Sequence, residues 1–258
     1  MPKLCANLSM LFNEYEFLDK FERAATAGFK GVEYLFPYPY ASSAIKQRLD
    51  DNQLTQVLFN LPAGDWATGE RGIACHPDRI NEFRDGVEQA IDYAKVLNCG
   101  QCNALAGVVP DNISIEQAEE TFIDNLRFAS DKLQQQGIRL LIEAINTFDI
   151  PRFFLSNTHQ ALEIIEKVGG HNLSYQYDIY HMQRMEGELS STIQNQLSSI
   201  GHLQLADNPG RHEPGSGEIN YDFLLKFIDK LGYKGWVGAE YVPETHTEHG
   251  LGWIKQYI

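Results

Sequence analysis

The sequence is short of positive charge. Across 258 residues, 21 Lys and Arg stand against 35 Asp and Glu, a formal net charge of −14. A nucleic-acid binder presents a basic footprint, so this balance argues against DNA, RNA and anionic membranes as partners. It leaves room for a small anionic substrate, because one cation or metal can set the field inside a cleft. No apolar run approaches the ~20 residues that span a bilayer. The opening MPKLCANLSM has no basic segment followed by an apolar one, so no signal peptide is expected. Gly/Ser linkers, low-complexity runs and composition breaks are missing. With 43% hydrophobic residues, the chain is read as folded, and as one domain over 1–258.

Cysteine is scarce: Cys5, Cys75, Cys99 and Cys102. CGQC at 99–102 has the spacing of a redox motif. It lies at the entry to an apolar run, not at a strand-to-helix turn, and residues three apart on a strand face opposite ways. Ordinary thiols in a reducing cytoplasm are the expectation. No G-x-G-x-x-G follows the first apolar run, which removes the usual sign of a dinucleotide fold. GSGEIN at 215–220 follows the seventh run and is read as a loop.

What is present is an alternation. Apolar runs lie at 3–8, 31–36, 55–61, 101–109, 138–145, 173–180, 201–207 and 236–241. Helical patterns lie at 14–28, 41–52, 78–98, 114–137, 156–170, 188–200 and 220–233. Ser114 with Gln117 forms a capping-box pattern. Gly28, Gly137 and Gly169 close helical segments, and Leu162, Ile165 and Val168 recur at helical spacing. Eight strands alternating with helices imply a parallel sheet covered on both sides. The length fits an α/β fold of one closed (β/α)8 TIM barrel. The polar stretch 62–77 follows a strand end, where such barrels keep their chemistry.

The last four runs share a feature. Each places one oxygen-bearing side chain near its C-terminal end, at Glu143, Asp178, Gln204 and Glu240. A lone strand-end carboxylate is more often a surface group. Four on successive strands meet at one side of a barrel mouth. Three carboxylates crowded there raise one another's pKa unless a cation sits among them. An oxygen shell suits Mg²⁺ or Mn²⁺ better than Zn²⁺. Gln204 reads equally as a hydrogen-bonding core amide. His181, one turn of loop beyond Asp178, can reach the mouth. Arg211, on the loop after the seventh run, can meet an anion bidentately. Both read equally as loop-stabilising groups.

At these residues the chain resembles the hydroxypyruvate isomerase family of xylose isomerase-like TIM barrels. The resemblance is carried by ANLSMLF (6–12), GVEYLFPY (31–38), FNLPAGDWATGERGIACHP (59–77), LLIEAIN (140–146), QYDIYHMQRMEGEL (176–189), GHLQLADNP (201–209), EPGSGEINYDFL (213–224) and GWVGAEY (235–241). It implies interconversion of hydroxypyruvate and tartronate semialdehyde. Glu143 and Glu240 become the catalytic pair and metal ligands, with Asp178 and Gln204 completing the shell. Gln204 stands where many related sugar epimerases have His. The 2-oxo-tetronate isomerases share most of these motifs, so the substrate is a three- or four-carbon oxo acid. Arg211 is then the candidate for its carboxylate and His181 a neutral donor. A polyol dehydratase, a barrel endonuclease and a non-catalytic sugar-binding barrel are the competing readings. Room remains for a homo-oligomer.

Overall fold

The computed structural model describes residues 2–257. Its strands are β1 (Lys3–Asn7), β2 (Gly31–Tyr34), β3 (Thr55–Asn60), β4 (Gln101–Ala104), β5 (Arg139–Glu143), β6 (Leu173–Asp178), β7 (Ile200–Leu205) and β8 (Trp236–Ala239). They pair in chain order, every pair parallel, and β8 closes onto β1. This is the (β/α)8 barrel that the alternation predicts. The helices are α1 (Lys20–Thr26), α2 (Ser42–Asp51), α3 (Ile80–Leu97), α4 (Ile115–Gln134), α5 (Thr158–Val168), α6 (Ile179–Met185), α7 (Leu189–Gln196), α8 (Tyr221–Lys230) and the short α9 (Thr247–Gly250). No helix among the described residues is long and apolar enough to cross a membrane.

Strand alternation sorts the core into two parts. Leu4, Ala6, Leu140, Ile142, Leu203, Leu205, Val237 and Ala239 point outward and are buried beneath the helices. Each large aliphatic side chain so buried contributes roughly 1.5–3 kcal/mol. Inside the barrel, Cys5, Val57, Leu58 and Leu141 form a separate apolar cluster, with Trp236 packed against it. All four cysteines are free and buried. Above this cluster the inward positions are polar.

The helix punctuation follows the sequence signals. Ser114 caps α4 by accepting from the Gln117 backbone N–H at 3.2 Å. Gly28, Gly137 and Gly169 sit at φ 100°, 71° and 75°. The buried stripe of α5 is Thr158, Ala161, Ile164 and Val168, with Leu162 and Ile165 half-buried beside it. The small Ala161 lets the helix approach the barrel, so the stripe is rotated from the expected Leu162–Ile165–Val168.

Every strand stops short of the end of its apolar run, and two of these ends shape the site. β4 ends at Ala104, and the remainder of its run makes isolated antiparallel bridges, Gly72 to Ala106 and Val108 to Phe153. β6 ends at Asp178, whose Oδ1 accepts from the N–H groups of Tyr180 at 2.8 Å and His181 at 3.4 Å. Asp178 is therefore the N-cap of α6. His181 lies in the first turn of that helix, not on a loop, which corrects the expected placement.

Candidate active site

Glu143, Asp178, Gln204 and Glu240 all end up at the C-terminal side of the barrel, at most 5% exposed. They do not share one height. Asp178 and Gln204 are register partners, whereas Glu143 pairs with Gln176, and Gly238 pairs with Gln204. Glu240 thus stands two residues beyond the partner of Gln204, as tilted barrel strands require.

The upper group consists of Glu143, Asp178, His181, Arg211 and Glu240. His181 Nε2 lies 3.5 Å from Asp178 Oδ2 and 3.9 Å from Glu143 Oε1. Arg211 Nη2 lies 2.6 Å from Glu240 Oε2 and 3.5 Å from Asp178 Oδ2. Two amides hold the glutamates from the other half of the barrel. Asn7 Nδ2 donates to Glu240 Oε1 at 2.9 Å, and Asn103 Nδ2 donates to Glu143 Oε2 at 3.1 Å.

The lower group is one the strand-end argument missed. Glu33, on β2, accepts from Asn7 at 3.1 Å and Gln204 at 2.8 Å, and pairs with His202 at 2.6 Å. Gln204 Oε1 accepts from Gln176 at 2.6 Å. Both ends of the Gln204 amide are engaged in this layer. Gly238 makes room for it: a Cβ there would lie 2.3 Å from Glu33 Oε1. Burial pushes the Glu33 carboxyl up, but His202, Gln204 and Asn7 outweigh it and hold it below the usual range.

Charges in the upper group behave differently. Burial, then the charges of Glu240 and Asp178, push Glu143 well above the usual carboxylate range. Burial pushes Glu240 up to about 8 against the opposing Arg211. Asp178 is raised by burial, with Arg211 and its capping bonds opposing. Burial alone would lower Arg211, yet Glu240, Asp178 and Glu143 raise it. Burial, then Arg211 and Arg184, keep His181 neutral.

The bonding network assigns the His181 tautomer. Asn146 Oδ1 accepts from the N–H groups of Phe148 and Asp149, which turns its Nδ2 toward His181 Nδ1 at 2.6 Å. Nδ1 is therefore an acceptor, and Nε2 carries the proton facing the carboxylates.

The same residues fit a divalent cation. Glu143, Asp178 and His181 offer ligand atoms within 4.8 Å of one another. Asp178 Oδ2 is buried with no hydrogen bond, its nearest cation the Arg211 guanidinium at 3.5 Å, so it has acceptor capacity left for a metal. Because His181 Nε2 is a donor, the carboxylates are the better ligands.

Glu143, His181, Arg211 and Glu240 open on a cavity of about 200 Å³, lined also by Met10, Asn60, Trp66 and Arg71. That is smaller than the usual drug-sized pocket and suits a small acid or sugar. A wider groove of about 330 Å³ runs past Tyr221 and Trp253, away from the upper group. Asn7, Asn60 and Asn103 escaped the sequence reading, although each stands at or near the C-terminal end of its strand. Arg71 and Trp66 escaped it because loop position alone does not say which way a side chain turns.

A model of the xylose isomerase-like TIM barrel matches residues 21–257. Hydroxypyruvate isomerase from Escherichia coli (strain K12) is 56% identical over 257 residues, covering all of both chains. A 2-oxo-tetronate isomerase from Cupriavidus necator is 45% identical, covering 100% of this chain and 99% of its own. The crystal structure of AP endonuclease, family 2 from Brucella melitensis superposes with a TM-score of 0.97 at 45% identity, covering 100% of this chain and 99% of that one. The chain belongs to the xylose isomerase-like TIM barrels and, within them, to the hydroxypyruvate isomerase family.

Proposed function

We propose that the protein is an isomerase interconverting hydroxypyruvate and tartronate semialdehyde. The observation that carries this reading is a pair of buried glutamates on one small cavity, each fixed by an asparagine amide. Both have pKa values raised toward the working range of a proton shuttle.

In the forward direction a proton leaves C3 of hydroxypyruvate and one returns at C2. The proton on the C3 oxygen passes to the C2 oxygen, so the carbonyl moves from C2 to C3. Glu143 and Glu240 are the pair that takes and delivers the carbon-bound proton. His181, through Nε2–H, donates to a substrate oxygen. Arg211 lines the cavity, and its Nε is buried without a partner, a second donor for an oxygen that gains charge. Asp178, Glu143, Glu240 and Gln204 are the groups we assign to a divalent metal, Mg²⁺ or Mn²⁺. When bound, that metal supplies electrostatic stabilisation to the substrate's oxygens. Gln204 Oε1 already accepts from Gln176, so its second lone pair is what it would offer the metal.

The 45% identity to a 2-oxo-tetronate isomerase makes the four-carbon oxo acid the second reading. The net charge of −14 opposes a nucleic-acid substrate. Four free thiols fit a reducing cytoplasm.

The test is hydroxypyruvate in deuterated water, followed by NMR with and without divalent metal. Deuterium appearing at C3, together with tartronate semialdehyde, is the expected result. Folded protein that exchanges no proton in either condition overturns the reading.

A further inference from the structure

Two arginines line the cavity, and only one has its charge met inside the protein. Arg211 faces Glu240 and Asp178. Arg71 makes no ion pair among the described residues. Its hydrogen bonds go from Nη1 to the carbonyls of Trp66 at 3.2 Å and Glu70 at 2.8 Å. Nε and Nη2, one edge of the guanidinium fork, are left for an anion.

Arg71 is also held in place. Its guanidinium stacks on the Trp66 ring, 4.3 Å from the centroid, and Trp66 leans on Phe36 at 5.1 Å. Asp65 caps the turn carrying Trp66 by accepting from Ala67 and Thr68. Glu70 accepts from the Asp65 N–H at 2.5 Å and pairs with Arg79. On the other side, Gly72 is bridged to Ala106, at φ 120°, so close that a Cβ would meet the Leu105 carbonyl at 2.5 Å. The Glu70 side chain on one side and the Gly72 backbone on the other thus anchor the chain around Arg71, and little freedom is lost when it binds.

A substrate carboxylate entering this cavity meets the acidic side chains of Glu143 and Glu240 and finds Arg211 already paired with Glu240. It needs a cation whose field is not already cancelled. We infer that Arg71, braced by Trp66, is the carboxylate-binding subsite that selects acids over neutral sugars. The inference rests on the oxo-acid reading above and moves the carboxylate from Arg211, the candidate the sequence suggests, to the loop after β3.

The test compares hydroxypyruvate with dihydroxyacetone, in which a hydroxymethyl group replaces the carboxylate. Arg71→Ala is expected to raise KM for hydroxypyruvate at least about tenfold, the scale of a lost charged hydrogen bond, with kcat within about threefold. Arg71→Lys should fall between, since it keeps the charge and loses the fork. Turnover of dihydroxyacetone should be unchanged. An unchanged KM, a loss confined to kcat, or a parallel loss on dihydroxyacetone overturns the subsite. Calorimetric titration with glycerate, which has the carboxylate but no carbonyl, reads binding without turnover. Wild-type that binds glycerate at least about tenfold tighter than Arg71→Ala supports the subsite even if no oxo acid is isomerised; in that case only the isomerase reading falls. Glycerate that binds both alike, or neither, removes the subsite.

Discussion

The two halves of the barrel finish their strands in different chemistry. β1, β3 and β4 bring Asn7, Asn60 and Asn103 to the upper inner wall. β5, β6 and β8 lead into Glu143, Asp178 and Glu240. At the two seams between the halves each amide holds the carboxylate of the neighbouring strand, Asn7 of β1 on Glu240 just beyond β8 and Asn103 of β4 on Glu143 of β5. A carboxylate can gain or lose a proton near neutral pH when burial shifts it; an amide cannot. In the proposed isomerisation, one half therefore positions and the other does the acid–base work.

That division can be broken at its cross-link. Glu33, from the amide half, pairs with His202 from the other half, both fully buried. Glu33→Ala leaves His202 without its partner and should cost about 3–5 kcal/mol of stability, read by denaturant unfolding. A loss below about 1 kcal/mol would mean that the halves are not joined here.

Next in size is the chemistry itself. Glu143→Gln and Glu240→Gln should each lower kcat at least about a hundredfold, with unfolding midpoints near wild-type. Near-normal turnover in either variant assigns that residue to structure alone.

The amide half should respond more weakly. Asn103→Ala removes its bond to Glu143, and Asn7→Ala its bonds to Glu240 and Glu33; a bond to a carboxylate is worth about 1.5 kcal/mol or somewhat more, so a fall of about tenfold in kcat is expected of each. If Asn103→Ala matches Glu143→Gln, the amide half takes part in the chemistry and the comparison fails.

The smallest effect lies outside the cavity. Asp149 accepts from Asn146 at 3.0 Å and Tyr180 at 2.9 Å, and pairs with Arg184. Burial raises its pKa, but these partners outweigh it and lower the carboxyl. Its stabilisation is present above about pH 4 and is lost as pH falls through the lower folded-state value. Asp149→Asn should therefore cost about 1 kcal/mol at pH 7, and the difference from wild-type should vanish in acid. A gap that persists at low pH would trace to packing instead.

Much of this is legible in the sequence. All eight strands follow from apolar runs between helical patterns, because a barrel strand buried on its outer face must read that way. The strand-end side chains of β5 to β8 follow from parity. Gln204 illustrates the limit. Parity puts it on the inner wall, but its height depends on strand stagger, which sequence does not print. Glu33 is mid-run, and only barrel closure carries it across to His202. The first turn of α6 was hidden because Ile179 and Tyr180 continue the apolar pattern of β6, so Asp178 was not seen as a cap. Arg71 sits in a loop whose course depends on a bridge to Ala106, a contact with no local signature.

Gly238 is the missing side chain on which the lower layer depends. The Glu33 carboxylate occupies the space a Cβ at that position would fill. Two strands on either side of β1 therefore share one seat, and their side-chain volumes are a single quantity divided between two positions. Enlarging one without trimming the other sets them in collision; changing both together restores the fit. Gly238→Ala should accordingly be far better tolerated in a Glu33→Ala background than in wild-type. A designer who altered either residue alone would be editing half of a two-residue word.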